Sequence, residues 1–246
     1  LALALPPERA RDDAWLAAMA GGLWALADAQ RCPLVGGDTT AGPLNLCLTV
    51  FGQVPAGQAL RRDGARVGDD VWVSGTLGHA RLALGALRGE WTLPPQLLAA
   101  ARTRLECPTP RIALGLALRG IAHSAADVSD GLAGDLGHIL RASAVGACLD
   151  AQETMKTIAA GAFSASAEGL FDRQTLLRLA LTGGDDYELV FTAPPDARSA
   201  VQAAGQASAT PLARIGRIEA EPGLRLLGAD GRIEPLAARA FDHFAP

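Results

Sequence analysis

The stretch AHSAADVSDGLAGDLGHILRAS, residues 122–143, changes periodicity in the middle. Up to Val128 it alternates like a strand, which places Asp127 and Ser129 on one face and Val128 on the other. From Leu132 onward the apolar residues Leu132, Leu136, Ile139 and Leu140 fall at helical spacing. Asp130 and Gly131 mark the change of direction. A strand that runs straight into a helix predicts an α/β fold. One local role is simple: Ser129 or Asp130 caps the helix, for about 1 kcal/mol. Capping leaves Asp127 unexplained. Two carboxylates a few ångströms apart repel unless a cation lies between them. Hard oxygen donors suit Mg²⁺, which takes a few carboxylates together with phosphate oxygens.

Working outward, other segments repeat the strand-and-helix theme. Strands are predicted at 71–74, in AVGACLDAQ, at 213–219 and at 224–227. Helices are predicted from Gly78, at 95–105, at 111–119 and at 195–205, and the stretch 157–168 reads as loop or irregular helix. The segment DRQTLLRLALTGGDDYELVFTAPP reads as helix, glycine loop and strand. Near the start, Trp15, Leu16, Met19, Leu23, Leu26 and Ala27 form a helical stripe expected to pack inward. The segment LNLCLTVFGQVP is rich in β-formers and predicts a strand over 44–55. The polar, Gly-rich stretch after it places a domain boundary near 58, giving domains 1–57 and 58–246.

Composition narrows the function classes. Of 246 residues, 49% are apolar and 20% charged, the balance of a globular chain. A net charge of −4 offers no basic field for nucleic acid. No apolar run is long enough to span a membrane. The four cysteines form no CxxC pair, so a cytoplasmic, reducing setting is expected. Lys156 is the sole lysine, and neither a Walker P-loop nor HExxH occurs.

Three loops set aspartate beside glycine: VGGDTT, DVSDG and TGGDDYEL. Singly, each is ordinary turn chemistry. Jointly, they point to a polyanion held by metal. Gly36 and Gly37 admit close backbone approach, and Asp38 follows them. Arg61 or Arg62 would meet a phosphate; the alternative for this pair is a solvated loop.

LVGGDTTAGPLNLCLTVFGQVP, RRDGARVGDDVWVSGTLG, DVSDGLAGDLGHIL, TGGDDYELVFT and FDHF follow one another in that order. Together they resemble the thiamine-monophosphate kinase family, within the aminoimidazole-ribonucleotide-synthetase-like ATP-binding superfamily. The resemblance implies a two-domain α/β fold of mixed sheets with packed helices, ATP lying between the domains. It implies Mg²⁺-assisted transfer of a phosphoryl group from ATP to thiamine monophosphate, and direct transfer is expected because no candidate nucleophile stands out beside the acidic loops. Carried over by motif, Gly37, Arg62 and Ser129 would contact ATP. Asp38, Asp127 and Asp130 would bind Mg²⁺. Asp185 and Phe241 would contact the substrate.

Two departures stand out. Asp185 occupies a position where the family usually has glutamate. The family's N-terminal section, with further metal ligands and a dimer-forming helix, has no counterpart here. The expectation is therefore a truncated N-terminal domain, weak or absent activity for this stretch alone, and a homodimer only in the full-length form. Two other readings stay open: a different ATP-using synthetase of the superfamily, or a non-catalytic nucleotide-binding remnant.

Overall fold

A computed structural model of the chain describes residues 1–158 and 169–236. It divides into two units, Leu1–Pro55 and Ala56–Pro246.

The first unit starts with β1 (Ala2–Leu5), a short helix α1 (Pro7–Ala10) and the longer α2 (Asp13–Ala29). Next come β2 (Asp38–Ala41) and β3 (Asn45–Cys47). β1 is central, parallel to β2 and antiparallel to β3. A parallel pair needs a crossover connection, and α2 lies within it. Asp12 starts α2 by accepting a hydrogen bond from the Trp15 backbone N–H at 3.0 Å.

Two expectations fail in this unit. No residue of α2 is buried, so the Trp15–Ala27 stripe is not a core. The unit's buried apolar residues are Leu3 and Leu5, and β2 and β3 are exposed at every position. Three strands this short bury too little to receive a 17-residue helix. The predicted strand over 44–55 also stops at Cys47. Its partner β1 pairs only from Ala4–Asn45 to Ala2–Cys47, and a strand without a neighbour is not held.

The second unit carries β4 (Asp70–Ser74), α3 (His79–Leu87), α4 (Pro95–Glu106) and α5 (Ile112–Ala117). It continues with β5 (Ser124–Val128), α6 (Leu132–Ser143), β6 (Gly146–Asp150) and α7 (Ala151–Ile158). Then come α8 (Arg173–Thr182), β7 (Glu188–Ala193), α9 (Arg198–Ala207), β8 (Leu212–Glu219), β9 (Gly223–Leu227) and β10 (Ile233–Pro235). The strands form one mixed sheet in the order β10-β9-β6-β8-β4-β7-β5. β6 and β9 run parallel, and the other neighbours are antiparallel.

Strand periodicity sorts the core to both faces. Val71, Val73 and Val190 pack with Leu82, Leu97, Leu136 and Ile139 on one side. Trp72 and Phe191 pack with Leu114, Leu118 and Val201 on the other. The Trp72 and Phe191 rings stack at 6.4 Å. Each large side chain fully removed from water contributes about 1.5–3 kcal/mol. In this helix-covered sheet β5 pairs with β7, so the acidic loop that follows β5 and the one that precedes β7 lie side by side.

Candidate functional site

Ser124, Ala126 and Val128 of β5 are buried, while the side chain of Asp127 between them is 54% exposed. Arg62 reaches it, with Nη2 3.8 Å from Asp127 Oδ1. The strand ends and Gly131 turns the chain at φ 113°, a left-handed conformation suited to glycine. A Cβ there would press on the Thr182 backbone at 3.0 Å.

The expected cap is absent. Gly131 is the N-cap of α6, and no side chain caps it. Asp135, in the first turn of α6, turns back instead. Its Oδ2 accepts hydrogen bonds from the backbone N–H groups of Ser129 and Asp130, both at 3.0 Å. Asp135 is only 4% exposed. Burial pushes its carboxyl pKa up, the two amide bonds oppose that, and nearby Asp130 and Asp127 add to the rise.

The loop before β7 is stitched to the loop after β5. Asp185 N–H donates to the Ser129 carbonyl, and Tyr187 N–H to the Val128 carbonyl, each at 2.8 Å. Asp185 and Tyr187 adopt φ of 67° and 50°. Such angles are costly for residues with a Cβ and persist where surrounding contacts impose them. A Cβ on Gly184 would meet the Ser129 carbonyl at 2.7 Å, which explains one glycine of the TGGDD motif. The Tyr187 phenol lies close enough to Asp185 to feel its charge. Burial first, then the charges of Asp185, Asp130 and Asp127, push the phenol pKa up. Arg62, Asp127, Ser129, Asp130 and Asp185 thus gather at one end of the β5–β7 pair. Beside Asp127 an open groove of about 590 Å³ runs along Arg61, Arg62 and Asp63. Arg61 is occupied by Asp63, with Nε 2.8 Å from Oδ1, which leaves Arg62 as the arginine facing the acidic loop.

The other two acids of DDYEL point inward. Asp186 is fully buried and accepts from Gly78 N–H at 2.6 Å, at the start of α3. Burial raises its pKa to about 8. Glu188 is also fully buried. It accepts from Ser74 Oγ at 2.6 Å, from Arg104 Nη2 at 2.6 Å, and from Arg111 Nε and Nη2 at 2.7 and 2.6 Å. His79 lies in the same interior, its Nε2 2.8 Å from the Ile158 carbonyl, and burial lowers its pKa to about 4.

Gly37 and Asp38 belong to the first unit. A Cβ at Gly37 would overlap the Leu1 carbonyl, so the β1–β2 pairing itself demands this glycine. Asp38 opens β2 rather than a turn, is exposed, and bonds its Oδ1 to Thr39 N–H at 2.9 Å. Phe241 lies outside the described residues. Sequence reading missed Asp135, Arg104 and Arg111. Only Asp135 left a local sign, an acid inside an otherwise apolar helix start. Among the described residues no three His, Cys, Asp or Glu side chains form a ready metal cluster. Mg²⁺ seldom needs one, since phosphate oxygens and water complete its shell.

Residues 66–228 match the family described as AIR synthase related protein, C-terminal domain. The thiamine-monophosphate kinase of Salmonella typhimurium is 40% identical over 247 residues, covering all of this chain and 73% of that enzyme. The chain belongs to the thiamine-monophosphate kinase family. A crystal structure of a family member from Stenotrophomonas maltophilia K279a superposes with a TM-score of 0.81 at 45% identity. It covers 94% of this chain and 70% of that one. The structure of AaThiL complexed with AMPPCP and TMP superposes at 0.72 over 99% of this chain and 72% of that one. At 24% identity that likeness speaks to the fold of the family.

Proposed function

We propose that the chain acts as a thiamine-phosphate kinase, using ATP to convert thiamine monophosphate to thiamine diphosphate. One observation carries the reading: the 40% identity to a thiamine-monophosphate kinase extends over the whole chain. The site supports it with accessible carboxylates and an arginine at one end of the β5–β7 pair. Phosphoryl transfer asks for positioning and charge neutralisation more than for a protein nucleophile.

Asp127 and Asp130 are the residues of this unit that would hold Mg²⁺, with Asp38 contributed by the first unit's sequence motif. The donor set fits, being hard carboxylate oxygens in solvent-accessible loops. Bound Mg²⁺ supplies neutralisation of the triphosphate and of the accepting phosphate. Arg62 holds Asp127 in an exposed pair worth under about 1 kcal/mol, loose enough to exchange for an ATP phosphate. Ser129, beside the clamped amides, would contact ATP, and Gly37 would approach it through its backbone. Asp185 and Phe241 would contact thiamine monophosphate. Four free cysteines fit action in the cytoplasm, and among the described residues no helix is long and apolar enough to cross a membrane.

The test is calorimetric titration of Mg·ATP into the chain, with and without thiamine monophosphate, beside chromatographic detection of thiamine diphosphate. The expected outcome is ATP binding that tightens with thiamine monophosphate, with weak or absent product from this stretch alone and product that requires both substrates in a full-length context. ATP binding indifferent to thiamine monophosphate, with no product in the full-length context either, would overturn the proposal.

A further inference from the structure

Asp135 does something other than cap its helix. The first residue of α6 is Leu132, so Asp135 is the fourth. A carboxylate near this position that served the helix would bond to helix amides or to the N-cap amide. Asp135 reaches past the N-cap Gly131 to the two residues before it, Asp130 and Ser129. A single oxygen, Oδ2, takes both amides. The same peptide is gripped from the opposite side, where the Ser129 carbonyl accepts Asp185 N–H. The N–H and C=O of Ser129 and the N–H of Asp130 are therefore all engaged. This leaves the Asp130 side chain only its own torsions.

We infer that Asp135 is a positioning residue for phosphoryl transfer: by holding the Ser129 and Asp130 amides it fixes the direction in which Asp130 presents its carboxylate. The inference rests on the proposed role of Asp130 as a Mg²⁺ ligand. Partners that orient a metal ligand typically change metal affinity 10–100-fold when removed. The acceptor oxygen, not the negative charge, is what the amides require. Asparagine can supply that oxygen. Glutamate keeps the charge but moves the oxygen by a methylene.

The experiment follows thermal melting of the full chain with a non-hydrolysable ATP analogue while Mg²⁺ is titrated. Wild type is compared with Asp135→Asn, Asp135→Glu and Asp135→Ala. The expected result is a Mg²⁺ midpoint raised at least about tenfold in Asp135→Ala and Asp135→Glu. Asp135→Asn should stay within about threefold, a rescue by hydrogen-bond geometry that general loss of stability would not produce. If Asp135→Ala does not fold, the ordering of the asparagine and glutamate variants still decides. Glutamate matching wild type while asparagine fails would overturn the inference in favour of charge. Wild-type midpoints in all three variants would overturn it outright. Asp130→Asn, run in parallel, tests the underlying reading. An unchanged midpoint there removes the metal role of Asp130, and the inference with it. A raised midpoint there, with Asp135→Ala unchanged, overturns the positioning role alone.

Discussion

Asp127 and Asp130 leave the end of β5, and Asp186 and Glu188 enter β7 beside it, yet the two pairs meet opposite surroundings. The Asp127 side chain is 54% exposed, with only a loose arginine contact. Asp186 and Glu188 are fully buried and met by protein donors: a helix-start amide for one, a serine and two arginines for the other. Both pairs belong to the same kind of sequence, a strand end and an acidic, glycine-containing loop. What separates a ligand-binding carboxylate from a structural one is therefore which donors the fold brings to it. A carboxylate supplied with protein cations holds the scaffold; one left to solvent is available to a cation from outside.

The sharpest way to break this contrast is Glu188→Ala. It leaves Arg104 and Arg111 partly buried with no carboxylate between them. Breaking a buried ion pair by removing one partner costs about 3–5 kcal/mol. The expected outcome is a loss of that order in urea unfolding. A loss under about 1 kcal/mol, the level of an exposed pair, would erase the distinction.

Asp127→Asn and Asp130→Asn should show the reverse profile. In a full-length context each is expected to weaken Mg·ATP use about 10-fold or more through lost charge neutralisation. Each should leave unfolding free energy within about 0.5 kcal/mol, as for surface changes generally. Steady-state kinetics across a Mg²⁺ series, beside denaturation of the same samples, gives both numbers. Wild-type turnover throughout the series would remove the metal assignment.

How much of this was legible beforehand follows the same line. The strand-to-helix change at Asp130–Gly131 is local, and the structure places β5 and α6 on either side of it. The inward set Leu132, Leu136, Ile139 and Leu140 is local too, and all four are buried. The link from Glu188 to Arg104 and Arg111 spans 84 and 77 residues, and no spacing rule reveals it. The α2 stripe misled for a related reason. Periodicity says which face of a helix is apolar, but not whether the chain supplies a surface to cover it. Asp135 lay within reach of local reading, yet capping rules look to the N-cap and N3 rather than to an acid that bonds outside the helix.

Asp186 offers a pH test of the buried member. Its pKa in the folded protein, about 8, lies above that of an unfolded aspartate. The folded state therefore keeps a proton that the unfolded state has released. Stability from this group is full below pH about 4 and falls as pH rises through 8, by up to about 1.4 kcal/mol per pH unit. Asp186→Asn removes that slope. His79, held neutral down to about 4 by burial, gives a slope of opposite sign below its ordinary range, and it cancels when wild type and variant are compared. The measurement is the difference in urea midpoints at pH 5, 6, 7 and 8. A difference independent of pH would mean Asp186 is ionised throughout.

Asp185 stands between the two classes and has the smallest expected effect. Its backbone is pinned, with its N–H on the Ser129 carbonyl and φ at 67°. Its carboxylate lies near the Tyr187 phenol, whose pKa its charge helps to raise. Among the described residues no ion pair meets Asp185 as the two arginines meet Glu188, so Asp185 retains capacity for a ligand. Asp185→Glu lengthens the reach by one methylene without changing charge. The expected outcome is a KM for thiamine monophosphate within about threefold of wild type, or lower, and an unchanged kcat, the signature of uniform binding. A tenfold loss would mean that the pocket is built around the shorter side chain. That result would move Asp185 from the solvent-facing class to the scaffold class, and the boundary between the two would then run through Asp185 rather than between it and Asp186.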